Sequence, residues 1–139
     1  MYQKLTIVGN VGRDPEMRYL PDGRPVTSLS VASNRKWTDK ASGEQKEETT
    51  WFRVSVFGNQ AEAVNQYVRK GRQVLVEGRL NPDSATGGPR LFTRQDGSVG
   101  ASYEVIAETV RFLGSNGNSN GNADSGTAGY DAEEEEIPF

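Results

Sequence analysis

Among its 139 residues the chain has no cysteine and no histidine. Their absence excludes disulfides, thiolate nucleophiles, Cys/His zinc sites and imidazole acid–base chemistry. Paired carboxylates occur only as Glu47-Glu48 and in a terminal run, both in segments expected to be mobile, where no burial could tune their pKa values. Gly9-Asn10-Val11-Gly12 is no phosphate loop, because no Gly-Lys-Ser/Thr follows it. The expectation is a protein that is not an enzyme and takes no cofactor or metal. No apolar run approaches the roughly 18 residues of a membrane span, and Met1-Tyr2-Gln3-Lys4 shows no signal-peptide layout. A soluble, cytoplasmic chain is therefore expected, with no membrane partner.

Bases are missing from the last 26 residues. All 16 Lys and Arg lie in residues 1–113 against 13 Asp and Glu, a formal +3, while residues 114–139 hold six acids, a formal −6. A basic body with an acidic tail points to nucleic-acid contact by one part and shielding or partner contact by the other. Residues 114–132 are almost wholly Gly, Asn, Ser and Ala, too poor in apolar groups to offset ordering entropy, so a disordered linker is expected there. It leads to the tip Glu133-Glu134-Glu135-Glu136-Ile137-Pro138-Phe139. A bare glutamate run serves solubility; an Ile and a Phe at its end suit a pocket on another protein.

Residues 1–113 read as one all-β domain. Leu5, Ile7, Gly9 and Val11 alternate onto one side, and further β stretches fall at 26–32, 49–57, 73–80 and 102–113. Pro21-Asp22-Gly23 is a turn. One helix is expected at about 60–69, with Ala63, Val64, Tyr67 and Val68 as its apolar stripe and Gly71 as its stop. Five strands with one short helix between the third and fourth is the layout of an OB-fold barrel, although the count also fits another small β-barrel or sandwich. Residues 38–48 and 81–100 read as insertions, the second a Gly-rich hairpin arm.

Period-two geometry in 49–57 sends Phe52, Val54 and Val56 to one face, and Trp51, Arg53, Ser55 and Phe57 to the other. Aromatics sharing a polar face with an arginine suit stacking of unpaired bases. They equally suit packing beneath a loop or against another subunit. Trp37 follows Arg35 and Lys36 at the exit of the second stretch, either in a groove that tracks a phosphate backbone or as a cap on the barrel end. Arg69-Lys70-Gly71-Arg72 is a basic run of the kind that also ends a solvated helix. Phe92 stands between Arg90 and Arg94 in the arm.

Several of these segments resemble the bacterial single-stranded DNA-binding proteins. They are Val8-Gly9-Asn10-Val11-Gly12-Arg13-Asp14-Pro15-Glu16-Met17-Arg18-Tyr19, Trp51-Phe52-Arg53-Val54 with Phe57-Gly58, Tyr67-Val68-Arg69-Lys70-Gly71 with Val76-Glu77-Gly78, and the terminal Ile-Pro-Phe. The resemblance implies an OB fold assembled as a homotetramer around which single-stranded DNA wraps, in a cytoplasmic, nucleoid-associated setting. It implies base stacking at Trp37, Trp51 and Phe57, and basic contacts along the DNA path from Lys40, Arg53, Arg69 and Lys70. The tip 133–139 corresponds to the family's docking peptide for replication, recombination and repair proteins. Two positions depart from the family pattern. The arm 81–100 is longer and lacks the stacking Trp of many relatives, leaving Phe92 as the nearest substitute. Asn59 stands where some relatives carry Lys.

Overall fold

The structure is a computed structural model that describes residues 1–114; the rest of the linker and the 133–139 tip lie outside the described residues. Its strands are β1 (Leu5–Val11), β2 (Glu16–Tyr19), β3 (Pro25–Thr38), β4 (Gln45–Phe57), β5 (Gln73–Leu80), β6 (Arg90–Thr93) and β7 (Val99–Leu113), with the helix α1 (Asn59–Tyr67) between β4 and β5.

Five of these strands close a barrel. The order β1-β5-β7-β4-β3 returns to β1 through the Asn10↔Ala32 and Val11↔Val31 pairs. All barrel pairings are antiparallel except β4 with β7, which run parallel with Phe52 beside Tyr103 and Val54 beside Val105. This is the OB-fold barrel expected from the strand count. Inward positions are filled chiefly by valine: Val11, Val31, Val54, Val56, Val74, Val76 and Val105 are all essentially buried, with Ile7 and Leu29. Branched side chains suit both the pleated strand and the narrow interior. Burial of each is worth about 1.5–3 kcal/mol.

α1 closes one end of the barrel. Its buried stripe is Ala61, Val64 and Val68 rather than the expected Ala63-Val64-Tyr67-Val68 set. Tyr67 instead lies outside, 6.4 Å from the Phe112 ring. The helix starts at Asn59 and stops at Tyr67, two residues before the expected end, because Val68 has extended backbone while its N–H still bonds the Val64 carbonyl. Thr27, the one buried polar residue among those described, donates its Oγ1 hydroxyl to the Ala61 carbonyl at 2.7 Å and ties β3 to the helix.

The β3–β4 hairpin is longer than its sequence suggested. β3 continues through Thr38, so Trp37 lies within the strand and not at its exit. Only residues 39–44 of the expected 38–48 insertion form the turn, bound by Asp39 N–H to the Glu44 carbonyl. Opposite charges across the ladder, Arg35↔Glu48 and Lys36↔Glu47, carry the pairing outward. Two further strands add to the five expected, the second within the hairpin arm expected at 81–100. β2 pairs with the start of β3, and β6 folds back on the start of β7 to make the hairpin arm.

Candidate nucleic-acid interface

Small residues on β3 stand opposite large ones on β4. Ser30 is the register partner of Arg53, and Ala32 of Trp51. β7 brings Ala101 and Ser102 alongside, and the arm brings Phe92 and Arg94. The result is an open groove of about 400 Å³ lined by Arg13, Ser30, Trp51, Phe52, Arg53, Phe92, Arg94, Ala101 and Ser102. Among the described residues no carboxylate lines it. Among the described residues Arg13, Arg53 and Arg94 make no ion pair.

Trp51 is 53% exposed and Phe92 45%, fractions that would waste apolar area unless something covers the rings. The guanidinium carbon of Arg94 lies 5.2 Å from the Phe92 ring centroid, and its Nη1 donates to Ser98 Oγ at 3.3 Å. The arm tip is held by Asp96, which accepts from the Ser98 N–H at 2.9 Å and its hydroxyl at 2.7 Å. The Ser98 N–H, then its hydroxyl, hold the Asp96 carboxyl below its ordinary value.

A second concavity, about 540 Å³, is lined by Ser33, Asn34, Arg35, Lys36 and Trp37. There the Arg35 guanidinium carbon sits 4.4 Å over the Trp37 ring, and Nη1 lies 3.7 Å from Glu48. Lys40 is exposed in the hairpin turn beyond.

The sequence-derived residues thus fall into separate places. Trp51, Arg53 and Phe92 meet in the groove; Arg35, Lys36 and Trp37 share the hairpin concavity. Phe57, 36% exposed, shares the outer face of β4 but lies six residues, about 20 Å, from Trp51. Arg69 Nη1 donates to the Asn65 and Val68 carbonyls at 2.9 and 2.7 Å, so part of its guanidinium closes the helix end. The Lys70 N–H donates to Asp14 Oδ1 at 2.9 Å, joining the loop after α1 to the loop that carries Arg13.

Sequence reasoning missed Arg13 as a groove residue and gave Arg94 only as a weak basic signal flanking Phe92. Arg94 was legible, since it lies two residues from Phe92 and so on the same face of the arm. Arg13 sits in a loop between β1 and β2, with no local periodicity to say where it points. Among the described residues no group of three or more His, Cys, Asp or Glu could hold a metal ion, and no helix is long and apolar enough to cross a membrane.

Comparison with known proteins gives the same frame. A Plasmodium falciparum single-strand binding protein, solved in complex with single-stranded DNA, superposes with a TM-score of 0.67 at 28% identity. The match covers 82% of this chain and 97% of that one. A small single-stranded DNA-binding protein from Streptomyces coelicolor shares the fold with a TM-score of 0.64 at 24% identity, over 79% of this chain and 93% of that one. Residues 2–113, the whole barrel with its helix and arm, match the model of the single-strand binding protein family. The chain belongs to that family.

Proposed function

We propose that the barrel binds single-stranded DNA without strong sequence preference. The groove carries this reading: Trp51 and Phe92 present exposed rings beside three arginines, with no carboxylate in the lining among the described residues. Bases stack on the rings, each contact worth about 1–3 kcal/mol and tolerant of sequence because every base has a π-face. The guanidinium groups hold phosphates. Duplex is disfavoured because its bases are already stacked on one another. Family membership and the likeness to a protein solved with single-stranded DNA support the same reading.

The remaining assignments extend it. Residues 1–113 form the binding domain, 114–132 a flexible linker and 133–139 a docking tip. Four chains assemble as a homotetramer; the edge of β1 over residues 5–9 away from β5 has no strand partner among the described residues, a row of open backbone groups that a second copy can meet. Trp37, Arg35, Lys36, Lys40, Phe57, Arg69 and Lys70 extend the DNA path beyond the groove. The tip, with Phe139 entering an apolar pocket and Glu133, Glu134, Glu135 and Glu136 meeting basic residues, recruits replication, recombination and repair enzymes. A Gly-rich chain of this length has a reach of about 25–30 Å, which raises the concentration of bound enzymes near the DNA.

Titration with oligo(dT), followed by intrinsic tryptophan fluorescence, tests the binding. Trp37 and Trp51 are the only tryptophans. Deep quenching by the single strand, with little effect from duplex of matching length, is expected. Equal response to both, or to neither, would sink the assignment.

A further inference from the structure

Two glycines lie against the exposed rings of the groove. An ideal Cβ on Gly12 would stand 2.6 Å from Trp51 Cζ3 and 2.8 Å from Cη2. One on Gly100 would stand 2.5 Å from Arg94 Nη2, 2.6 Å from Phe92 Cζ and 2.8 Å from Arg94 Cζ. Real Cβ contacts are essentially never this short, so each ring rests where a side chain would otherwise be. Gly100 is the cross-strand partner of Phe92, and a ring folded over such a glycine covers backbone that would otherwise be wet. Gly12 is fixed from the other side, its N–H donating to the Ser30 carbonyl at 2.8 Å.

We propose that Gly12 and Gly100 are positioning residues for single-strand binding: each seats one aromatic ring against backbone and leaves its opposite face for a base. The inference rests on the single-strand reading above. Seating has two consequences. A ring held against backbone loses little freedom when a base arrives, so less of the stacking energy goes to ordering it. It also accepts a base on one side only, which makes the groove a row of one-sided platforms rather than slots between rings. A methyl at either glycine meets the far end of a side chain, which can swing away, so the barrel survives while the ring leaves its place. At Gly9 and Gly78 the obstacle is different, because a Cβ there would run into the Ala32 and Ile106 backbone carbonyls.

The test uses the full chain and two readouts. In the free protein, the Gly12 and Gly100 Hα protons are expected upfield under the ring currents, returning to ordinary positions in Trp51→Ala and Phe92→Ala respectively. Ordinary shifts in the wild type overturn the seats without touching the DNA reading. In oligo(dT) titrations, Gly12→Ala and Gly100→Ala each lower affinity about 5- to 10-fold; the salt slope is unchanged in Gly12→Ala, and in Gly100→Ala, whose methyl also meets the Arg94 guanidinium, it falls by at most about 0.7, one phosphate contact. Gly88→Ala, whose new methyl meets only Thr86 Oγ1 at 3.6 Å, leaves affinity as it was. A double-mutant cycle separates positioning from general damage. Gly12→Ala has no further effect in a Trp51→Ala background, and Gly100→Ala none once Phe92 and Arg94 are both replaced by Ala. Additive losses, or full affinity in the single glycine variants, overturn the proposal. A wild type that ignores oligo(dT) but keeps the shifted Hα protons overturns the function while leaving the seats standing.

Discussion

Trp37 and Trp51 occupy opposite faces of one hairpin. Ala32 is the β3 partner of Trp51, and Trp37 lies five residues further along the same strand, opposite Lys46. An odd separation on a period-two strand turns the side chain over. Trp51 therefore looks into the groove with Arg53 and Phe92, while Trp37 shares its face with Arg35 and continues the side that carries Val31 and Leu29 inside the barrel. A strand that touches both tryptophans has to pass around the hairpin.

The two faces should be separable by mutation. Trp51→Ala is expected to weaken oligo(dT) binding by about 5- to 150-fold, the equivalent of one stacked base. Trp37→Ala should weaken it too, with a larger penalty on long oligonucleotides than on ones too short to round the hairpin. Affinity series against oligonucleotide length check this. Equal losses at all lengths would place both tryptophans on one short path.

The groove arginines should appear in the salt dependence. Removing Arg13, Arg53 or Arg94 as a phosphate contact reduces the slope of log K against log salt by about 0.7 each. The readout is titration across a range of NaCl concentrations with the single Ala variants. An unchanged slope for Arg13→Ala would remove the loop between β1 and β2 from the DNA path.

Affinity should be nearly flat between pH 6 and 9. There is no histidine, and guanidinium groups do not titrate in that range. Acid sensitivity enters lower down, at the arm. Asp96 is held below its ordinary value by the Ser98 N–H and hydroxyl, and Asp22 by the Arg24 N–H and side chain. A carboxyl lowered on folding contributes stability that is present above its unfolded pKa and lost as pH falls through the folded one. Both turns should thus loosen only below about pH 4. Backbone amide exchange at Gly97 and Ser98 against pH would show it.

Thr27→Val should cost about 1 kcal/mol in urea unfolding, because it removes the buried hydroxyl that bonds the Ala61 carbonyl. DNA affinity should not follow, since Thr27 faces the helix end of the barrel. Loss of binding in a folded Thr27→Val protein would mean that the α1 end is coupled to the groove.

Deleting residues 114–139 should tighten DNA binding most at low salt, because it removes six acids that compete with phosphate for the basic face. Deleting Phe139 alone should abolish capture of partner enzymes and leave DNA affinity nearly intact. Unchanged capture would leave the tip without a docking role.

The five-strand barrel and its helix were legible because alternation is a local property: Ile7, Val54, Val56, Val74 and Val76 declare their inward face within a few residues of sequence. The outward face of 49–57 was legible for the same reason, and so were Trp51 and Arg53 as neighbours. The length of the β3–β4 hairpin was not. Its outer rungs carry charges instead of apolar residues, and their pairing is stabilised by Arg35 and Lys36 facing Glu48 and Glu47 across strands that sequence order keeps apart. Tyr67 looked inward by helical spacing, but the helix turns Ala61, Val64 and Val68 into the barrel end and leaves Tyr67 outside. Only closure of the sheet decided which residues meet in the groove. Arg13, Trp51 and Phe92 come from a loop, a barrel strand and an added arm, and no window of sequence contains all three. The sequence determined which residues could stack a base or hold a phosphate. Tertiary structure chose the ones that stand together, because their meeting depends on long-range strand register and on two glycines that leave room for the rings.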